Sequence, residues 1–211
     1  MDLVLFGIQG SGKGTLGKLV AEKYEFEVFE TGSELRKLSG ENSDLGKKVK
    51  NIIEAGRLVP NEVVMDIIEN FMARLVKEKK ALFDGVPRSM VQAETFGAMM
   101  KTHQRDFMGI LIDVPKETVL KRLAGRRICQ KCKAVYPLYY NGEECAACHA
   151  HLATRDDDNP ESIKTRIEAY YEETMPVIKR YKKAGKLITM NGDQSIEAAG
   201  KEILTILAKI F

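Results

Sequence analysis

Residues 2–6 form an apolar run that ends at Gly7, and beyond Lys13 the apolar positions Leu16, Leu19 and Val20 recur close to helical spacing. Strand, loop and helix are expected in that order. A strand over 27–30 leads to helical patterns over 33–38, 45–55 and 62–76. A strand over 81–84, a helix over 90–100, the most apolar strand over 108–114 and a helix over 116–123 follow. From 126 to 158 the periodicity stops and Cys, Tyr, Gly, Asn and His dominate, which marks an insertion with its own small scaffold. After Pro160 the pattern predicts a helix to 183 in spite of Pro176, a strand over 186–190 and a helix over 195–211. Recurrent alternation of strand and helix predicts an α/β fold, a parallel sheet with helices on both faces. No internal repeat or low-complexity tract stands out. The expected divisions are a core (1–30, 60–125 and 160–211), a helical segment (31–59) and an insertion (126–159).

Composition narrows the classes. A chain of 211 residues has room for one main domain plus an insertion. No apolar stretch approaches the roughly 20 residues that cross a bilayer, so no membrane partner is expected. The opening MDLVLFGIQG has no basic n-region and reads as a buried strand, not a signal peptide, which favours the cytoplasm. A formal net charge of +3 is too balanced for a broad footprint on nucleic acid, so none is expected as a partner and each basic residue is weighed singly.

Gly7-Ile8-Gln9-Gly10-Ser11-Gly12-Lys13-Gly14-Thr15 stands directly after a strand and opens a helix, the context of a phosphate-binding P-loop. Glycines such as Gly10, Gly12 and Gly14 let backbone N–H groups turn inward on a phosphate. The helix N-terminus adds a favourable dipole, the Lys13 ammonium can bridge β- and γ-phosphates, and Thr15 adds a hydroxyl. Gly14 stands between Lys13 and the hydroxyl residue, a variant that leans away from GTPases. Asp84 ends an apolar strand and is followed by Gly85-Val86-Pro87-Arg88. Its carboxylate would emerge beside the P-loop, where it can hold Mg²⁺ through water. Just past a rigid proline, Arg88 can clamp an acceptor phosphate through a bidentate fork.

The GxxGxGKGT loop, the Thr31-Gly32-x-x-x-Arg36 segment and the Asp84-Gly85-x-Pro87-Arg88 segment, in this order, resemble those of adenylate kinases over essentially the whole chain. The resemblance implies reversible phosphoryl transfer from MgATP to AMP giving two ADP, by a monomer. It implies that Arg36 and Arg88 meet the AMP phosphate and Thr31 and Gln92 its base. The stretch 56–59, with Arg57 and Val59, would lie beneath the adenine, and Gly85 belongs to the same pocket; 31–59 then becomes the AMP-binding segment. Related uridylate and cytidylate kinases usually carry Ala where Thr31 stands and Asn where Gln92 stands, so the AMP type is favoured over a UMP or CMP kinase. The family commonly has Pro where Gln9 stands, Asp where Ser33 stands, Phe where Val86 stands and Gln where Leu16 stands. None of these departures removes a phosphate ligand.

Phosphoryl transfer leaves little covalent work to a protein, so positive charge must gather round the transferring group. In the family pattern, Arg126 and Arg155 are lid arginines that close on the ATP phosphates, Arg166 joins Arg88 from the core, and Arg122 stacks on the adenine of ATP. Asp157 and Asp158 resemble acids that orient these arginines. A closing lid over 126–159, hinged near Gly125 and Asn159-Pro160, would keep water from the γ-phosphate. Within it, Cys129-Gln130-Lys131-Cys132 and Cys145-Ala146-Ala147-Cys148, with twelve residues between them, match the paired knuckles of a structural zinc ribbon. Four thiolates leave no open coordination position, so such a Zn²⁺ stiffens the lid instead of activating water. His149 and His151 could compete as ligands, but a nearby His is more often merely exposed, so the expected set is the four cysteines. A zinc-ribbon nucleic-acid-binding ATPase is the alternative from another class; Lys131 and Lys133 beside the lid tyrosines, ahead of three consecutive acids, offer it little.

Overall fold

The computed structural model describes residues 1–137, 139–155 and 158–211. Among them, a parallel sheet runs in the order β2 (Phe26–Glu30), β3 (Lys80–Asp84), β1 (Asp2–Phe6), β4 (Phe107–Asp113) and β8 (Leu187–Asn191). The central strands are apolar on both sides because both sides are covered. Val4, Phe6, Phe83 and Leu111 pack into one core layer with α4 (Asn61–Arg74), α5 (Met90–Thr102) and α8 (Met175–Lys183). Leu3, Leu5, Leu82 and Ile110 pack into the other with α1 (Lys13–Tyr24), α6 (Lys116–Ala124) and α9 (Ile196–Leu207). In the first layer the rings of Phe29, Phe83, Phe96, Phe107 and Tyr181 form a chain of contacts with centroids 5.1–6.0 Å apart, the tilted and edge-on geometry that aromatic quadrupoles favour.

This arrangement opens a crevice in a defined place. In register, β1 places Leu5 beside Asp84 of β3 on one side and Ile110 of β4 on the other. The chain leaving β1 enters α1 on one face of the sheet, and the chain leaving β3 enters α5 on the opposite face. Adjacent strands whose connections part in this way leave a gap beyond their carboxyl ends, where ligands of open α/β sheets bind.

Element boundaries mostly move by a residue or two from expectation, and three of the differences have a visible cause. The helix expected over 62–76 stops at Arg74, because Leu75 is extended at φ −70°, ψ 123°. The run over 160–183 is not uniform: α7 (Pro160–Ala169) passes through a π-helical turn at Tyr170–Thr174 before α8. Pro176 has no N–H to give to an i−4 carbonyl, and the widened turn lies just ahead of it. At the C-terminus α9 ends at Leu207, and Phe211 folds back to lay its ring 5.5 Å from Phe26 and 5.7 Å from Tyr24. Two more helices, α2 (Thr31–Ser39) and α3 (Asp44–Glu54), stand over the crevice.

The insertion carries a three-stranded antiparallel sheet, β6 (Val135–Tyr136), β5 (Arg127–Cys129) and β7 (Leu152–Ala153). Its two CxxC segments repeat one another's backbone. The first cysteine N–H donates to the carbonyl five residues on, at 2.8 Å from Cys129 to Ala134 and 2.8 Å from Cys145 to Ala150. The residue after the second cysteine, Lys133 or His149, is left-handed at φ 60° or 56° and donates back to the first cysteine's carbonyl. A repeat is thus present at this scale, C-x-x-C-x-Ala, too short for a periodicity search to register.

Candidate active site

Between β1 and α1 the glycine-rich loop needs backbone that L-residues rarely adopt: φ is +84° at Gly10 and +99° at Gly12. Gly12 is also the N-cap of α1 and has no side chain to cap it; its carbonyl takes the Thr15 N–H at 3.1 Å, which leaves the N–H groups of Lys13 and Gly14 without an acceptor from the cap. Lys13 turns its ammonium back over the loop, donating to the carbonyls of Gly7 at 2.7 Å and Ile8 at 3.1 Å. Although Lys13 as a residue keeps partial exposure, burial of the ammonium lowers it to about 8, with Asp84 opposing and Arg88 and Arg126 assisting. The Ser11 hydroxyl is buried, and among the described residues nothing hydrogen-bonds it.

Asp84, at the end of β3, is buried, and burial raises its carboxyl above the usual range while Lys13 draws it back. The next residue must be glycine: Gly85 has φ +86°, and a Cβ there would lie 2.6 Å from Arg88 Nη2. That close pass lets Arg88 Nε donate to the Gly85 carbonyl at 2.7 Å, which fixes the guanidinium against the loop. A cis Val86-Pro87 peptide completes the turn. Gln92, in the first turn of α5, is 4% exposed and accepts the Arg88 N–H at Oε1 (2.8 Å), which leaves its amide NH₂ as a donor. Thr174, from the π turn, donates to the Arg88 carbonyl at 2.8 Å. Across the cleft the Thr31 hydroxyl is buried and nothing described here hydrogen-bonds it, while Arg36 lies 3.6 Å from Glu30.

A third group of charges closes the ring. Asp158, whose side chain is 0% exposed, takes two donors from Arg126, Nε at 2.9 Å and Nη2 at 2.6 Å. It also takes the Gln9 amide at 3.1 Å and stands 3.7 Å from Arg166. Arg166 donates in addition to the Ile53 carbonyl at 3.2 Å. Arg122 spans from Gly192 O at 2.9 Å to Ser11 O at 3.5 Å and so ties α6 to the glycine-rich loop.

These groups share one cleft of about 740 Å³. Every residue assigned from the sequence to either nucleotide lines it: Gly10, Gly12, Lys13, Gly14, Thr15, Asp84 and Arg122 at one end, Thr31, Arg36, Arg57, Val59, Gly85, Arg88 and Gln92 at the other, with Arg126, Arg155 and Arg166 between lid and core. Asp157 lies outside the described residues. A cleft with a helix-borne anion cradle at one end and a second set of fixed cations at the other suits two phosphorylated ligands facing each other.

Comparison with known proteins agrees. A family model described as adenylate kinase matches residues 5–186. The chain is 39% identical to the adenylate kinase of Archaeoglobus fulgidus over all of this chain and 99% of that one. It is 37% identical to that of Kosmotoga olearia over the whole of both, and 34% to that of Acetivibrio thermocellus over all of this chain and 99% of that one. The chain belongs to the adenylate kinase family. It is a nucleoside-monophosphate kinase, an ATP:AMP phosphotransferase that works on small-molecule nucleotides with ATP and Mg²⁺. Among the described residues no helix is long and apolar enough to cross a membrane.

Away from the cleft, the sulfurs of Cys129, Cys132, Cys145 and Cys148 lie within 4.8 Å of one another, and neither His149 nor His151 joins them. Cys129–Cys148 and Cys132–Cys145 are each 3.4 Å apart, Sγ to Sγ. Thiolates about 2.3 Å from a tetrahedral zinc stand about 3.8 Å apart, so the cluster is of the right size. The Cys132 N–H points at Cys129 Sγ (3.3 Å), and the Tyr136 hydroxyl lies 3.1 Å from Cys145 Sγ while accepting the Ala146 N–H at 2.8 Å. That hydroxyl, more than any other neighbour, lowers the Cys145 thiol to about 6.

Sequence reasoning missed Thr174, Tyr136, Glu30 and Ser11 as site residues and gave Gln9 no role. Thr174 carries no local signal, because only the π turn brings it inward. Tyr136, four residues past Cys132, repeats nothing at the second knuckle.

Proposed function

We propose that this adenylate kinase transfers the γ-phosphoryl group of MgATP to AMP with the following division of labour. The loop of Gly10, Gly12 and Gly14, the α1 N-terminus and Lys13 hold the ATP phosphates, and Arg122 holds the adenine. Arg36 and Arg88 hold the AMP phosphate, and Arg88, pinned at Gly85, points the acceptor oxygen along the line of transfer. Thr31 and the Gln92 amide read the AMP base, above a floor of Arg57 and Val59. Arg126, Arg155 and Arg166 surround the charge that spreads over the moving phosphoryl group, and closure of 126–159 excludes water. Asp84 and the Thr15 hydroxyl are the groups suited to hold Mg²⁺, through water; the ion neutralises phosphate charge. The four cysteines are suited to a structural zinc, which cross-links the insertion. A monomer is the state that the resemblance implies, and thiols kept ready for a metal suit a reducing, cytoplasmic location.

The observation that carries this reading is a buried Thr31 hydroxyl, without a hydrogen-bond partner among the described residues, in the same cleft as a Gln92 amide whose oxygen is already committed to Arg88. Such a pair rewards one base edge and leaves donors unsatisfied against others. In a coupled assay with MgATP, AMP is expected to exceed UMP, CMP and GMP in kcat/KM by about tenfold or more, the equivalent of one lost buried hydrogen bond. Equal use of UMP or CMP would sink the base assignment.

A further inference from the structure

Asp158 poses an electrostatic problem for a lid that moves. Its side chain is 0% exposed, and its principal partner, Arg126, spends both Nε and Nη2 on it. An arginine so engaged cannot also present those donors to a phosphate. If Arg126 turns to the ATP phosphates on closure, a buried carboxylate loses its best partner, and stranding a buried charge is among the costlier events in a protein interior. Arg126 and Asp158 lie at the two ends of the insertion, beside the hinges expected near Gly125 and Asn159-Pro160 where the chain is displaced least, so a donor outside the insertion can stay on the carboxylate while the arginine side chain turns away.

Gln9 fits that place. It sits in the glycine-rich loop, anchored between β1 and α1, and its Nε2 donates to Asp158 Oδ1 at 3.1 Å across 149 residues of sequence. Arg166, the other neighbour from the core, stands farther off at 3.7 Å and shares its guanidinium with the Ile53 carbonyl. Proline, the residue usual at this place in the family, has no side-chain donor and could not make the contact.

We propose that Gln9 is a positioning residue that keeps the buried Asp158 carboxylate hydrogen-bonded while Arg126 changes partner from Asp158 to the ATP phosphates. Gln9 thereby lowers the cost of closing over ATP and acts on the ATP end of the cleft alone. The inference rests on the assignment of Arg126 to the ATP phosphates.

Gln9→Met keeps the length of the side chain and removes the donor. In full-length protein it is expected to raise KM for ATP about three- to tenfold, the range of one ordinary net hydrogen bond. KM for AMP should stay within about twofold, a split that general loosening of the fold would not produce. Gln9→Pro should give the same split, and serves if the methionine variant proves unstable. In an Asp158→Asn background, with no buried charge to satisfy, the effect of Gln9→Met should vanish. An Arg126→Ala control separates the two levels of the argument. A raised KM for ATP in that control beside an unchanged one in Gln9→Met overturns the role of Gln9 and leaves the kinase reading intact. No change in the control itself overturns the Arg126 assignment and this proposal with it. Equal rises in both KM values, or an undiminished effect in the Asp158→Asn background, would show that Gln9 acts through some other contact.

Discussion

At the scale of single residues the cleft works with groups moved from their ordinary chemistry by burial. Lys13, lowered to about 8, must carry its proton to meet a phosphate, so protein whose Lys13 is neutral has to take one up on binding. ATP affinity is therefore expected to hold below about pH 8 and to fall above it, with a limiting slope of one proton. Isothermal titration across pH 7 to 10 reads this directly, and Lys13→Arg should push the fall beyond the measurable range. A flat profile in the wild type would mean that the ammonium is not the group that meets the phosphates. Lys13→Ala and Arg88→Ala should each lower kcat by at least about 10²-fold without unfolding the chain, since both remove charge felt most in the transition state. For Gln92→Ala the loss falls on AMP: the base loses a donor and the Arg88 N–H loses its acceptor (2.8 Å). KM for AMP should rise about tenfold, for a cost of about 1 to 3 kcal/mol, with little change for ATP. Matching rises for both nucleotides would place Gln92 in packing instead.

At the scale of elements, the insertion shows how little apolar material can order a small sheet when thiols assist. Its buried centre is Cys129, Cys145 and Leu152, with the rings of Tyr136 and Tyr140 tilted against each other at 4.4 Å beside them. So small a core does not hold a segment of this size by itself. Purified protein is therefore expected to contain about one zinc per chain, its binding linked to folding of the insertion. Cys145→Ser should lower the melting temperature and raise ATP hydrolysis relative to transfer, while the glycine-rich loop and the AMP pocket survive. Tyr136→Phe keeps the ring and removes the donor at 3.1 Å from Cys145 Sγ. It should speed zinc release to a chelator about tenfold or more, the usual effect of losing an outer-shell partner. Metal-free protein with four titratable thiols and an equally stable lid would rule out the zinc cross-link.

At the scale of the whole molecule, the two ends of the cleft are placed by different parts of the fold, and only together do they make one site. On the proposed assignment the ATP end hangs on β1, α1, α6 and the last residue of β3, and the AMP end on α2, α5 and the loop that follows β3. A bisubstrate mimic joining two adenosines through five phosphates spans both and should bind far more tightly than either nucleotide, because the second end is engaged at a high effective concentration. It should also protect 126–159 from protease. Binding no tighter than ATP alone would show that the ends do not act as one site.

Several features were legible in the sequence because they depend on short-range chemistry. Gly10, Gly12 and Lys13 declare a tight loop between strand and helix, since glycine readily takes the left-handed backbone there and the lysine folds back over it. The cysteine spacing declares a four-thiol cluster, since a knuckle closes within six residues. The alternation of apolar strands and amphipathic helices declares a doubly covered parallel sheet. What the sequence could not supply were contacts made by residues far apart in the chain. Gln9 meets Asp158 across 149 positions, and Thr174 reaches Arg88 across 86. Neither pairing leaves a local trace, because a hydrogen bond depends on where two backbones are carried by the packing of whole layers. His149 illustrates the same limit from the other side. By composition it was a candidate ligand, yet its left-handed backbone (φ 56°) makes it the turn of the second knuckle. Local steric and metal chemistry can be read along the chain; partners across the cleft exist only once the sheet is covered on both faces.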